Sequence, residues 1–299
     1  MRTYYYYIFI PLLVFLLLPL SGCGKHQKGT EEASEVLKSD SIPREVKDVV
    51  KAISDNDSDG FAKLVSYPLA RPYPLEDIKN EDEMKHYYSK MVDDSMRNVV
   101  TKSKVHDWEP VGWRGWTVDN GEYVWIDSLV YDVNYVSPEE MKERKKLMDS
   151  EIATLPENLR KGDWTPETCL KVVDRKRIAR IDSHKEESAD TSVYRMAIFD
   201  SIAPQRLHPT AVMRGYKTFE GSAGTIYYIF TDGKGTQAVY EEDLPDSPGA
   251  VIIFTRPDNT VEEVEVEKTY WRKWVTSPEQ IESADSTKGK SLTIHHHRH

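Results

Sequence analysis

The chain has 299 residues, 39% of them hydrophobic and 30% charged, and its formal net charge at pH 7 is −10. This length and composition predict one or two folded domains with a hydrophobic core of ordinary size. The acidic balance excludes a general role in nucleic-acid binding, which needs a positive field, and two widely separated cysteines exclude a CxxC motif or a disulfide framework.

The N-terminus carries a targeting signal. Residues 1–24 read MRTYYYYIFIPLLVFLLLPLSGCG, and a basic start, an apolar run and a small-residue end are typical of a secretory signal. The last four residues before Gly24, Leu20-Ser21-Gly22-Cys23, resemble the lipobox of bacterial lipoproteins. The resemblance implies cleavage before Cys23 and acylation of its thiol, which anchors the chain to a membrane. The alternative is a plain signal peptide or a transmembrane helix, although the apolar run is short for a span.

The residues that follow Cys23 bear on the location of the protein. They read GKHQK, without the immediate aspartate or acidic cluster that redirects some lipoproteins. The resemblance therefore implies a lipid-anchored protein of the outer membrane that faces the periplasm, with the cell surface as the alternative. We predict a signal peptide over residues 1–22 and a flexible tether over residues 23–42, because the latter is polar and lacks apolar periodicity.

Three helices are predicted next. Ser41, followed by Pro43 and Glu45, is typical of a helix start, and the valines after it share one face. A short helix is predicted around Phe61. A longer helix is predicted over residues 78–100, with Asn80 as its N-cap.

The DNDSDG run over residues 55–60 has two interpretations. It matches positions one, three, five and six of a calcium-binding loop, but position twelve is Ser66 instead of glutamate. The alternative is a turn whose aspartate caps the following helix. We favour the turn and predict no metal or other cofactor for the chain.

Residues 112–127, GWRGWTVDNGEYVWID, predict a β-hairpin. Asn120-Gly121 favours a two-residue turn because both residues tolerate positive φ. That turn would pair Trp116 with Trp125 and Arg114 with Asp127. Alternation of side chains would then place Tyr123 on the same face of the sheet. The aromatic rings either pack against the helices or line a pocket, and the charged pair is either an ordinary ion pair or part of that pocket.

This succession of elements resembles the nuclear-transport-factor-2-like superfamily, also called SnoaL-like. The matching segments are residues 50–69, 78–92 and 112–127. The resemblance implies an α+β domain over residues 43–136, in which helices pack on a curved antiparallel sheet and form a cone with a pocket. It implies candidate ligand-binding residues in the hairpin, and enzymes of this fold place an Asp–His or Asp–Arg pair inside the cone. The ligand-binding candidates are Trp116, Trp125, Arg114, Asp127 and Tyr123, and the candidates for a catalytic pair also include His86 and His106.

The second half of the chain has a different pattern. Ser137-Pro138 with Glu140 predicts the start of a connecting helix over residues 137–154, which has a thin apolar stripe. Residues 155–275 contain nine short alternating runs, the last of them residues 269–274, and they predict an all-β sandwich or barrel. GDWTPE, YRMAIF and EGSAGTIYYIF resemble the C-terminal half of uncharacterised Bacteroidetes-type lipoproteins. We expect residues 276–299 to form a disordered tail.

The sequence favours a binding protein over an enzyme. Cys169 is predicted to be a buried small residue, and Gly221–Gly224 lacks the GxSxG elbow of a serine hydrolase. We therefore expect a non-catalytic envelope lipoprotein of the α+β class that binds a small ligand or an envelope protein. One alternative is a pocket enzyme, a hydrolase or isomerase, on the cone domain. The other is a structural spacer of the envelope.

Overall fold

The structure is a computed structural model, and the residues that it describes fall into six segments. They are residues 35–173, 177–185, 192–200, 208–220, 225–242 and 250–275. The predictions for the signal peptide, for Cys23, for Gly221–Gly224 and for the tail lie outside these residues. Within the described residues, none of the helices combines the length and the apolar character needed to span a membrane. The α+β class is confirmed.

Seven α-helices are described, and four of them begin with a side-chain cap. Asn80 Oδ1 accepts a hydrogen bond from the backbone N–H of Glu83 at 2.9 Å, which confirms the predicted cap. The predicted helix over residues 78–100 is in fact two helices, because the Asp93 side chain caps a new helix through the N–H of Met96. The helices are α1 (Glu35–Lys38), α2 (Arg44–Ser54), α3 (Ser58–Ala62), α4 (Glu81–Met91), α5 (Asp94–Lys102), α6 (Pro138–Ala153) and α7 (Glu157–Arg160).

Helices α1–α5 share one core with a four-stranded antiparallel sheet. The strands are β1 (Trp108–Pro110), β2 (Trp116–Val118), β3 (Val124–Ile126) and β4 (Val130–Val133), and they pair in chain order. Apolar side chains from the helices and from the strands are buried together in this core, and their burial is the main stabilising contribution here. The buried side chains of this core include Val46, Val50, Ile53, Phe61, Met84, Met91, Met96, Val124, Ile126 and Val130.

The hairpin between β2 and β3 differs from the predicted one by a single residue of register. Trp116 lies opposite Ile126, and Thr117 lies opposite Trp125. Asn120 and Gly121 do take positive φ, but Asp119 also does so, with a φ of 55°. The turn therefore begins one residue earlier and the connection is longer than two residues. A shift of one residue moves side chains to the opposite face, so the predicted pairing of the two tryptophans is wrong.

Helix α6 follows the sheet and begins with the predicted capping box. Ser137 Oγ accepts from the N–H of Glu140 at 3.1 Å, and the Glu140 carboxylate accepts from the N–H of Ser137 at 2.9 Å. The buried residues of α6 are two glutamates, and they do not belong to the thin apolar stripe noted in the sequence. Met141 is 52% exposed, whereas the two carboxylates at Glu140 and Glu151 are buried. Ion pairs with arginines replace the apolar contacts, as described below.

The β-rich part is a closed barrel of eight antiparallel strands, which confirms the barrel alternative and excludes the sandwich. Consecutive strands pair with one another, and β12 closes the barrel on β5. The predicted ninth strand is wrong, because Trp271–Lys273 forms a 3-10 turn that buries Trp271. The strands are β5 (Thr165–Val172), β6 (Ile178–Lys185), β7 (Ser192–Phe199), β8 (Ala211–Glu220), β9 (Thr225–Thr231), β10 (Gln237–Glu241), β11 (Ala250–Thr255) and β12 (Val261–Thr269).

The outer face of β5, β6 and β7 carries a further small core. Cys169 points outward from the barrel and is buried, as predicted. Burial raises the pKa of its thiol well above the ordinary value, so the thiolate form is disfavoured. Leu155 and Leu159, beside and within α7, pack here with Trp271. These contacts attach the segment after α6 to the wall of the barrel.

Candidate functional site

The two hairpin tryptophans lie in different surroundings. Trp116 is half-buried and packs against the core shared by the helices and the sheet. Trp125 lies on the opposite face, where its indole N–H donates to the carbonyl of Gly121 at 3.1 Å. Its ring lies 6.4 Å from that of Tyr131. The structure therefore does not bring the two rings together as the walls of one site.

The other three hairpin candidates lie outside the described β2–β3 pairing. Arg114 lies in a 3-10 turn before β2, and its guanidinium carbon lies 5.5 Å from the centre of the exposed Trp113 ring. Asp127 is exposed just after β3, and the ring of Tyr123 stacks on Tyr135 at 5.1 Å. The described pairing of β2 with β3 joins Trp116 with Ile126 and Thr117 with Trp125, and it does not extend to Arg114 and Asp127.

The aspartates of the DNDSDG run serve as caps and ion-pair partners. Asp57 Oδ1 accepts from the N–H of Gly60 at 2.8 Å and so caps α3, which confirms the predicted turn. Asp59 lies 3.2 Å from the ammonium of Lys85. Within the described segments, no group of three or more His, Cys, Asp or Glu side chains is arranged to hold a metal ion.

The described polar contact of each candidate histidine is with a residue close to it in sequence, although His106 also lines a cleft with Val118 and Asn120 of the hairpin. His86 Nδ1 lies 2.6 Å from the backbone carbonyl of Asp82, on the same helix. His106 is exposed and lies 3.4 Å from the neighbouring Asp107 carboxylate. Neither histidine therefore faces the predicted Arg114 or Asp127 side chains through a described contact.

The inside of the barrel holds a group of polar side chains near one end. Deeper inside, the lining is apolar and includes Ile181, Met196, Met213, Phe230 and Ile252. Strand alternation then brings polar residues onto the same inner face, toward the ends of β6, β8 and β10. We call this group the polar end. Its members are Glu167, Ser183, Tyr194, Lys217, Tyr228 and Glu242.

Strand geometry explains how these side chains reach the interior. Lys217 lies opposite Tyr228 in the ladder, and Tyr228 lies opposite Tyr240, so the three share the inner face. A bulge between Pro166 and Thr168 adds one residue to β5. Bulges re-aim side chains, and the Glu167 carboxylate accepts a hydrogen bond from the hydroxyl of Ser183.

Aromatic rings surround the Lys217 ammonium. Its Nζ lies 5.3 Å from the ring centres of both Tyr228 and Phe219. Tyr194 meets Tyr228 edge-on, with ring centres 5.3 Å apart. Such ring faces stabilise a cation through their negative quadrupole.

The charges at the polar end are only partly neutralised. Burial raises the pKa of Glu242, and the lysines at 217 and 268 oppose this shift. Lys268 forms an ion pair with Asp77 at 2.7 Å. By contrast, Lys217 and Glu242 form no ion pair within 4.0 Å with any residue in the six described segments. The Lys217 ammonium and the Glu242 carboxylate therefore face the same interior without forming an ion pair, and the second carboxylate of the polar end, Glu167, accepts a hydrogen bond from Ser183.

A separate open cleft of about 800 Å³ lies beside helices α4 and α6. Four of its charged side chains are paired with one another: Lys90 with Glu143 at 2.6 Å, and Arg272 with Glu76 at 2.9 Å. These pairs leave less unsatisfied charge for a ligand than the polar end does. The lining also includes Leu75, Asp77, Ile78, Asp82, Glu83, His86, Tyr87 and Leu147.

A buried ionic group joins α6 to the outer wall of the barrel. Arg180 Nη1 donates to the Glu151 carboxylate at 2.9 Å, and Arg180 Nε donates to Asp182 at 2.7 Å. Arg195 Nε donates to the other oxygen of Asp182 at 2.9 Å, and the Tyr73 hydroxyl donates to Glu151 at 2.8 Å. Each charge is matched by a partner, which is the pattern of a structural connection.

Comparison of the chain with protein-family models, curated proteins and solved structures gives no match. The sequence predictions did not include Lys217, Tyr228 or Glu242. Their signal is period-two spacing: Met213 and Lys217 share one face of β8, and Ala238 and Glu242 share one face of the segment through β10. A charged residue at the next inward-facing position after apolar ones was therefore the sequence signal that could have identified this site.

Proposed function

We propose that this protein is a non-catalytic binding protein and that the polar end of its barrel holds a small ligand. Barrels of eight strands are wide enough either to be filled by side chains or to hold one small ligand. Apolar side chains fill the deeper part of this barrel, and charged and aromatic side chains line the polar end. The ligand would occupy the space between those polar groups.

The observation that carries the proposal is the half-buried placement of Lys217 and Glu242 without an ion-pair partner among the described residues. Removing a charge from water is costly unless a partner compensates it. Charged groups that lower the stability of the fold in this way are concentrated at functional sites. A bound polar ligand would supply the missing compensation.

The proposal includes attachment to the outer membrane through a lipid on Cys23, on the periplasmic side or at the cell surface. The lipobox-like Leu20–Cys23 supports it. We also propose that residues 43–136 have the cone architecture of the nuclear-transport-factor-2-like superfamily. The shared core of α1–α5 and the antiparallel sheet supports this relationship. An envelope protein as an additional partner remains part of the proposal.

Ligand-induced stabilisation tests the proposed site. Thermal unfolding of the purified protein is measured against sugars, lipids, peptidoglycan fragments and amino acids. A ligand at a hundred times its Kd adds about 2.7 kcal/mol of stability, or roughly 5–10 °C in Tm for a protein of this size. Lys217→Met is expected to abolish the shift. Lys234→Met, on the exposed loop after β9, is the matched control and is expected to keep it.

Two results would overturn the proposal. A ligand shift that Lys217→Met leaves unchanged would place binding elsewhere in the molecule. Turnover of any of these compounds by the purified protein would contradict a non-catalytic role, and it would favour the pocket-enzyme alternative.

A further inference from the structure

We infer that the ligand of the polar end is a zwitterion, whose carboxylate lies against Lys217 and whose ammonium lies against Glu242. The chemical class is a free α-amino acid, or a short peptide with both ends free. This inference rests on the proposed function, because it assigns a ligand class to the same site.

The spacing of the two charged residues supports a ligand between them. Lys217 is on β8 and Glu242 directly follows β10, so strand β9 separates them. Neighbouring strands are about 4.8 Å apart, which places the two backbones roughly 10 Å apart. Both side chains start from the inner face of the barrel, and the 4.0 Å limit of an ion pair is not reached between them. A small molecule that contacts both groups would therefore bridge strand β9 on the inner face, beside Tyr228.

The charge balance selects the chemistry of that molecule. A ligand with one charge would compensate either the ammonium or the carboxylate and leave the other group unpaired. A neutral ligand would leave both without an opposite charge. A zwitterion compensates both groups together, and charge-assisted hydrogen bonds are the stronger kind. Burial raises the pKa of Glu242 although Lys217 and Lys268 lower it, which agrees with a carboxylate that no cation of the described segments approaches to ion-pair distance.

The other charged groups nearby already have partners. The Glu167 carboxylate accepts a hydrogen bond from Ser183, and the Lys268 ammonium is paired with Asp77. The ion pair makes Lys268 less available to a ligand carboxylate than Lys217, and the hydrogen bond from Ser183 makes Glu167 less available to a ligand ammonium than Glu242.

The surrounding rings indicate the side chain that such a ligand carries. Phe219 is 65% exposed although it follows Lys217 on the inner face of β8, and Ile226 lies opposite it in the ladder. Tyr194 and Tyr228 form an edge-on pair beside the ammonium. Apolar and aromatic surfaces of this kind favour an apolar or aromatic side chain on the ligand.

Calorimetric titration with a matched set of probes tests the inference. The probes are phenylalanine, phenethylamine, which lacks the carboxylate, and 3-phenylpropionate, which lacks the ammonium. A dipeptide, Phe-Phe, distinguishes a peptide with free ends from a free amino acid. We expect phenylalanine or the dipeptide to bind roughly tenfold or more tightly than either singly charged probe.

Variants of the full chain assign each end of the probe. Lys217→Met is expected to remove the preference for the carboxylate, so that phenylalanine and phenethylamine bind alike. Glu242→Gln is expected to remove the preference for the ammonium. The exchange Lys217→Glu with Glu242→Lys is expected to recover part of the binding, because the zwitterion can reverse its orientation. Lys234→Met serves as the control and is expected to retain the wild-type selectivity.

The outcomes separate this inference from the proposed function. Lys217-dependent binding of a neutral sugar or a lipid, with no binding of the zwitterions, would overturn the inference and leave the proposed function standing. Equal affinity for phenylalanine and phenethylamine in the wild-type protein would also overturn it. Binding of zwitterions that neither Lys217→Met nor Glu242→Gln alters would overturn both.

Discussion

Replacing Glu151 with leucine is expected to destabilise the protein strongly, because the change leaves a buried guanidinium without one of its partners. The Glu151 carboxylate accepts hydrogen bonds from Arg180 at 2.9 Å and from the Tyr73 hydroxyl at 2.8 Å. Arg180 also bonds to Asp182, but Asp182 is shared with Arg195. Among Arg180, Arg195, Glu151 and Asp182 the wild-type protein has two cations and two anions, whereas the variant has two cations and one anion. The partly exposed Arg272, 3.9 Å from Glu151, loses a partner as well.

Burial sets the size of the effect. The side chains of Glu151 and Arg180 are 1% and 0% exposed, so water does not replace the lost partner. Removing one member of such a pair costs about 3–5 kcal/mol, which is a large share of a total folding stability of about 5–15 kcal/mol. At about 2–4 °C per kcal/mol for a chain of this size, Tm is expected to fall by roughly 6–20 °C.

Urea unfolding, followed by tryptophan fluorescence, measures the change. Glu157→Leu is the matched control, because Glu157 pairs with Lys161 in solvent at 3.2 Å and its removal is expected to have little effect. The double variant Glu151→Leu with Arg180→Met leaves one cation and one anion, so it is expected to be more stable than Glu151→Leu alone. The reasoning would be refuted by a Glu151→Leu protein as stable as the control, or by a double variant less stable than the single one.

Three further predictions concern other parts of the molecule. Gly215→Ala is expected to lower Tm, because the added Cβ would overlap a backbone carbonyl of strand β9. Thr218→Ala, also on β8, is the control and should change Tm little. Equal changes in Tm for the two variants would contradict the prediction. Asp57→Ala is expected to cost about 1 kcal/mol through loss of the α3 cap, measured by urea unfolding, and an unchanged midpoint would show that the cap contributes nothing. Burial raises the pKa of Glu242, so ionisation reduces wild-type stability as pH rises above the ordinary value of 4.5. Glu242→Gln should therefore be more stable than wild type near neutral pH and should lose this advantage below pH 4.5. Thermal unfolding of both proteins at neutral pH and below pH 4.5 measures the difference, and an advantage that is larger at the low pH would contradict the prediction.

Local chemistry made part of the fold predictable. The caps at Asn80, Asp57 and Ser137 each depend on a side chain and an N–H three residues further on, so a short stretch of sequence contains the whole interaction. Eight of the nine predicted β segments are strands. They could be predicted because the alternation of apolar and polar side chains is also a local pattern. The break between α4 and α5 was missed because the apolar positions continue across Asp93.

The features that were missed depend on contacts between distant residues. Closure of the barrel pairs Thr269 with Cys169, and no local pattern distinguishes that pairing from a sandwich. The burial of two carboxylates on α6 was not predicted because their partners lie elsewhere in the chain, Arg71 for Glu140 and Arg180 for Glu151. The hairpin register was predicted wrongly because three successive residues, and not only Asn120 and Gly121, take positive φ, so the turn is longer than the predicted two residues.

The two buried carboxylates of α6 restrict the length of that helix. Glu140 and Glu151 are eleven positions apart within one helix, which is about three turns at 3.6 residues per turn, so both point in nearly the same direction. Inserting or deleting one residue between them would rotate one carboxylate by about 100° away from its arginine. Evolutionary change in α6 should therefore accept substitutions on its exposed face, such as at Met141, far more readily than any change in the number of residues.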